Sequence, residues 1–158
     1  MAERTKSIDR VRAAAEAAGL AISFREMAAS TRTAEEAAAA CGVSAPQIVK
    51  SLVFRKAGGG EAVLLLVSGP NRVDQAGIAA ILGAPLERMD AREVRDVTGF
   101  AIGGVAPLGS LAPLATYMDE DLLAFDAVWA AAGAPNAVFQ ADPRALAEAT
   151  GARIIRFR

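Results

Sequence analysis

Five of the six helical stretches that can be read along this chain stop at a glycine, Gly19, Gly42, Gly83, Gly99 and Gly151, the exception being a short one at residues 44–47. Glycine accepts the left-handed cap that other residues resist, so these positions fix where the helices end. The helices they close are short and alternate with short apolar segments of strand character, which predicts one mixed α/β domain over residues 1–158. Residues 7–18 repeat alanine and charge around Ile8, Val11 and Ala15. Thr33 and Glu36 have the spacing of a capping box, and Ser44 and Gln47 repeat it. Strands are expected at Ala21–Glu26, Ser51–Lys56 and Ala62–Ser68, the last two joined as a hairpin through Gly58, Gly59 and Gly60. Asp74, Asp90 and Asp142 are expected to cap three further helices, with Pro143 at the first position of the last. Strands at Leu114–Met118, Phe125–Ala131, Ala137–Gln140 and Ala152–Phe157, with a turn at Asp119–Asp121, complete the expected order.

Composition removes several chemistries. The 158 residues contain no histidine and a single cysteine, Cys41. Ser-His-Asp and Cys-His catalysis, an internal disulfide and a thiolate zinc cluster are therefore excluded, and Cys41 reads as packing at the end of an alanine-rich helix. A net charge of −1 does not advertise a polynucleotide coat, and no spacing points to sequence-specific DNA binding. The apolar runs are too short to cross a membrane and the first residues lack a signal peptide, so a cytoplasmic location is expected.

Two features carry the functional reading. The run Thr98-Gly99-Phe100-Ala101-Ile102-Gly103-Gly104-Val105-Ala106-Pro107-Leu108-Gly109 is denser in glycine than a core or hairpin needs. It suggests main-chain groups used as a binding surface, or simply a mobile loop. Lys50 sits in Ile48-Val49-Lys50-Ser51-Leu52-Val53-Phe54, an apolar setting for one of only three lysines in the chain. It reads either as a functional ammonium or as a strand-edge lysine whose head reaches water.

Together with Gly133 through Leu146, the Val49–Val53 block and the glycine loop resemble the YbaK / prolyl-tRNA-synthetase-associated family of editing domains. The resemblance spans nearly the whole chain. It implies a mixed, barrel-like β-sheet flanked by helices, and hydrolysis of the ester between a wrongly attached amino acid and tRNA, with no metal and no cofactor. The family's lysine maps onto Lys50 and its Gly-x-x-x-Pro loop onto Gly103 through Pro107, so Lys50, Gly103 and Gly104 are the implied catalytic positions. Met27, Ser51, Phe100, Pro107, Ala134, Pro135 and Asn136 are the implied substrate-binding positions. For Met27 and Phe100 the plain alternative is core, and for the 133–136 segment it is a turn. Arg72 and Asp74 resemble a recurring pair in the family and also read as a salt bridge plus helix cap. The implied partner is the acceptor end of an aminoacyl-tRNA, with a synthetase as a further one.

An aminoacyl ester is already activated, so orientation and oxyanion stabilisation suffice without a histidine base. The chain departs from the cysteine-directed branch, which has a different glycine-rich last turn with an acidic residue, and from the alanine-directed branch, which has a histidine there. The amino acid removed stays open on these residues. A rival reading is a non-catalytic module of the same fold that binds a tRNA end or a nucleotide, or attaches to a synthetase.

Overall fold

A computed structural model of the chain describes residues 2–27 and 33–157. In chain order the elements are α1 (Ala2–Ala17), β1 (Ser23–Glu26), α2 (Ala34–Cys41), β2 (Val49–Lys56), β3 (Ala62–Ser68), α3 (Gln75–Leu82), β4 (Leu86–Arg88), α4 (Ala91–Thr98), β5 (Ala115–Asp119), β6 (Val128–Ala131), β7 (Ala137–Ala141), α5 (Pro143–Thr150) and β8 (Arg153–Ile155). Two 3-10 turns, Ala45–Gln47 and Glu120–Ala124, precede β2 and follow β5.

The strands form a five-stranded sheet in the order β4-β2-β3-β5-β8 and a three-stranded sheet in the order β1-β7-β6. A parallel bridge between Ile48 and Trp129 brings the start of β2 against β6 and makes the two sheets neighbours. The expected hairpin is present, with Leu52 opposite Leu65, while β3 pairs in parallel with β5 on its other side, Leu65 opposite Tyr117. A strand flanked on both edges and covered on both faces must be apolar throughout, and Val63 through Val67 are each at most 1% exposed. Their alternation sends Leu64 and Leu66 into the main core with Ile8, Val11, Phe100, Phe139 and Leu146. Val63, Leu65 and Val67 go to a second cluster with Ile78, Ile155 and Phe157 beneath α3. A third, smaller cluster seats Ala37, Ala38 and Cys41 of α2 against Ile48, Trp129 and Val138.

The helix starts follow their capping residues. The Thr33 hydroxyl accepts from the Glu36 N–H at 3.1 Å, Asp90 from Glu93 at 2.8 Å, and Asp142 from Arg144 and Ala145 at 2.8 and 3.1 Å. Asp74 differs: it occupies the N-cap of α3, but its carboxylate makes no capping hydrogen bond. Among the described residues no ion pair joins it to Arg72 either, so Asp74 holds the N-cap position read for it without the capping hydrogen bond or the salt bridge. The short strand β4 was not expected, because three residues at a sheet edge carry no alternation to detect. The segment read as a strand from Phe125 pairs only from Val128, since the turn after β5 runs on to Ala124.

Leu65, fully buried in the central strand, anchors this arrangement. Leu65→Ala is expected to lower the unfolding free energy by roughly 2–5 kcal/mol in chemical denaturation, and a loss under about 1 kcal/mol would contradict its place in the core.

Candidate functional site

Where the two sheets adjoin lies an open cleft of about 790 Å³. Lys50 and Ser51 of β2, Trp129 through Ala131 of β6, Glu35 of α2, Arg72, Gly103 and Pro135 are on its walls. Residues from three separate blocks of the sequence therefore face one space.

Lys50 is half-buried on the cleft wall, and its ammonium is held by the protein. Its Nζ donates to the main-chain oxygen of Asn71 at 2.6 Å. Burial pushes its pKa down from the ordinary lysine value; Glu35 opposes that shift, Arg72 adds to it, and Asp119 opposes it. The Asn71 side chain is itself held, its Nδ2 donating to Asp119 Oδ2 at 2.8 Å and to Asp121 Oδ2 at 2.6 Å. Sequence reading did not find Asn71 or Asp119. The available signal was a lone aspartate ending the strand Thr116-Tyr117-Met118, where an uncompensated charge is costly.

The two central glycines of the loop do different things. Gly103 is exposed on the cleft wall with φ +88°, and a Cβ added there would meet Pro135 only at an ordinary 3.8 Å. Its N–H has no hydrogen-bond partner among the described residues. Gly104 is buried, its N–H is spent on Ala101 O at 2.9 Å, and a Cβ there would lie 2.8 Å from Ala134 Cα. Gly104 is a close-packing glycine whose N–H is already used, so of the backbone groups expected to serve a ligand there the carbonyl remains. The loop is braced from behind by α1. Arg10 donates from Nε to Gly109 O at 3.2 Å and from Nη2 to Thr98 O at 3.3 Å, with its guanidinium over the Phe100 ring, and Ser7 Oγ donates to Gly99 O at 3.3 Å.

The other expected substrate-binding residues divide. Ser51 and Pro135 line the cleft. Phe100 and Ala134 do not, being at most 2% exposed, and Pro107 is buried as well, so all three form the support beneath the loop. Met27 and Asn136 clasp each other: the Met27 N–H donates to Asn136 O at 2.7 Å, and Asn136 Nδ2 donates to Met27 O at 3.1 Å. That clasp ties the end of β1 to the turn before β7 and lies off the cleft wall. Two buried side-chain polar atoms have no hydrogen-bond partner among the described residues, Ser51 Oγ and Trp129 Nε1, and both belong to cleft residues.

Burial pushes the Cys41 thiol up, only partly offset by Arg25, which leaves it a packing group. Among the described residues no group of three histidine, cysteine or carboxylate side chains is placed to hold a metal ion, and no helix is long and apolar enough to cross a membrane.

A two-sheet α/β fold with a lysine and a backbone loop on one cleft matches a known class. The chain belongs to the aminoacyl-tRNA editing-domain family, whose model matches residues 28–149. It is 36% identical over 124 residues to the uncharacterized protein YwhH of Bacillus subtilis, covering 78% of each chain. Among solved structures, a candidate trans-editing enzyme for prolyl-tRNA synthetase is 48% identical, with a TM-score of 0.89 and 96% of both chains covered. A protein from work on computational epitope grafting onto scaffolds is 46% identical, with a TM-score of 0.90 over 96% of this chain and 97% of the other.

The glycine pair separates stability from function. Gly104→Val is expected to lower the melting temperature markedly by driving a side chain into the Ala134 backbone. Gly103→Val, whose cost is confined to an unfavourable φ of order 1–2 kcal/mol, is expected to spare the fold and block the cleft. Equal melting losses for the two would contradict the assignment. Lys50 gives a pH prediction. With its folded pKa below the unfolded one, the charged ammonium weighs against folding at neutral pH, and that cost disappears as pH rises through the unfolded value. Any activity that needs the ammonium should correspondingly fall on the alkaline side below the ordinary lysine range, as read from a kcat/KM profile corrected for spontaneous ester loss.

Proposed function

We propose that residues 1–158 form a single deacylase domain that hydrolyses the ester of a mischarged tRNA, with tRNA-Pro or a related tRNA carrying a small wrong amino acid as substrate. The observation that carries this reading is that Lys50 and Gly103, whose N–H has no hydrogen-bond partner among the described residues, line one cleft. The name of the structural relative at 48% identity favours tRNA-Pro. A cytoplasmic location goes with that substrate, and a synthetase would hand it over.

In this reading Lys50 supplies a point charge to the terminal adenosine's phosphate or to the ester region, and Gly103 donates to the ester oxygen as it becomes an oxyanion. Water adds to the carbonyl carbon, the ribose oxygen leaves with a proton, and free amino acid and tRNA result. With no histidine in the chain, the attacking water gives up its proton to a group of the substrate itself or to a backbone carbonyl through water.

The deciding experiment is multiple-turnover deacylation of a panel of mischarged tRNAs by the wild type and Lys50→Ala. The wild type is expected to accelerate ester loss for at least one substrate, and Lys50→Ala to cut that rate by on the order of a hundredfold with unchanged melting. A protein that protects the ester instead is a binding module, and the deacylase reading falls.

A further inference from the structure

The loop after β3 carries a residue whose two ends do different work. Asn71 closes a turn, its N–H donating to Ser68 O at 2.9 Å. Its main-chain oxygen accepts the Lys50 ammonium, while its side-chain amide is shared between two carboxylates, Asp119 and Asp121. Asp119 has no exposed surface, and it also accepts from the Ser68 N–H at 3.0 Å and from the Asp121 N–H at 3.0 Å. A carboxylate taken out of water at the end of an apolar strand is retained only where its hydrogen bonds are made. Here those bonds tie the end of β3 and the loop after it to the end of β5 and the turn that follows. The remaining Ser68 group is tied down too, its hydroxyl donating to Pro46 O at 2.7 Å just ahead of β2.

We propose that Asn71 is the positioning residue for Lys50: clamped by Asp119 and Asp121, it presents a fixed carbonyl that takes one of the ammonium's three donors and leaves two for a ligand in the cleft. This rests on the reading of Lys50 as functional. The charged groups that face the ammonium are Glu35 from α2, Arg72 from the same loop, Asp119 from β5 and, through Asn71, Asp121 from the turn beyond it. Neither carboxylate bonds the ammonium directly, so they act on it through the placement of Asn71.

Two readouts on the full chain test this. The first needs no tRNA: acetylation by a water-soluble succinimidyl ester, followed by peptide mass spectrometry, compares Lys50 with exposed Lys6. Asn71→Ala is expected to raise the Lys50-to-Lys6 ratio several-fold by loosening the carbonyl that holds the amine, and an unchanged ratio overturns the proposal. The second is a double-mutant cycle on deacylation. Asn71→Ala is expected to lower kcat by about tenfold or more with KM nearly unchanged, and to cause no further loss in a Lys50→Ala background. Equal losses in both backgrounds overturn the coupling. Full turnover in Lys50→Ala alone would sink the functional reading of Lys50, while the acetylation ratio would still decide whether Asn71 anchors it. Should Asn71→Ala fail to fold, Asp121→Asn, which weakens the clamp and leaves Asp119 in place, must shift the ratio in the same direction or the proposal fails.

Discussion

The cleft depends on one buried charge. Asp119 ends the strand β5 with its carboxylate wholly out of water, and the low-dielectric surroundings that make such a group costly when unpaired make its hydrogen bonds strong when paired. Three donors meet it, from Ser68, Asn71 and Asp121, so the ends of β3 and β5 and the loop between β3 and α3 are drawn to one point. The Lys50 ammonium is held at the surface of that knot, and the position of the charge in the cleft follows from it.

Much of the framework was legible because it was written in local chemistry. Thr33, Asp90 and Asp142 announce helix starts whose cap bonds form, and the apolar runs on either side of Gly58–Gly60 specify a hairpin whose register sets Leu52 opposite Leu65. Lys50, Ser51, Gly103 and Pro135 were singled out by composition or by family likeness, and the fold gathers them on one cleft. What was not legible came from contacts distant in sequence. Asn71 looks like an ordinary turn residue after Pro70 until β5 brings two aspartates to it. Gly104 looks equivalent to Gly103 until the Ala134 backbone arrives within 3 Å of where its Cβ would be. Phe100 offers an aromatic face, but α1 covers it with Arg10 and leaves it no exposed surface.

Neighbouring glycines in this loop divide the labour. One residue needs positive φ and open space, the other needs the absence of a side chain because another backbone fills the place. A glycine-rich motif read as uniform thus contains separate demands, one for open space at positive φ and one for the absence of a side chain.

The brace from α1 has a consequence for how the site comes into being. Arg10 and Gly109 are joined across 99 positions of chain, Arg10 and Thr98 across 88, and Ser7 and Gly99 across 92. Loops of that span close slowly and late compared with a hairpin such as β2–β3. During synthesis the helix that shapes the glycine loop emerges first and waits for more than half of the polypeptide before it has anything to grip. The brace on the glycine loop therefore cannot be made until residues 98–109 have been added, however much of the central sheet has formed by then.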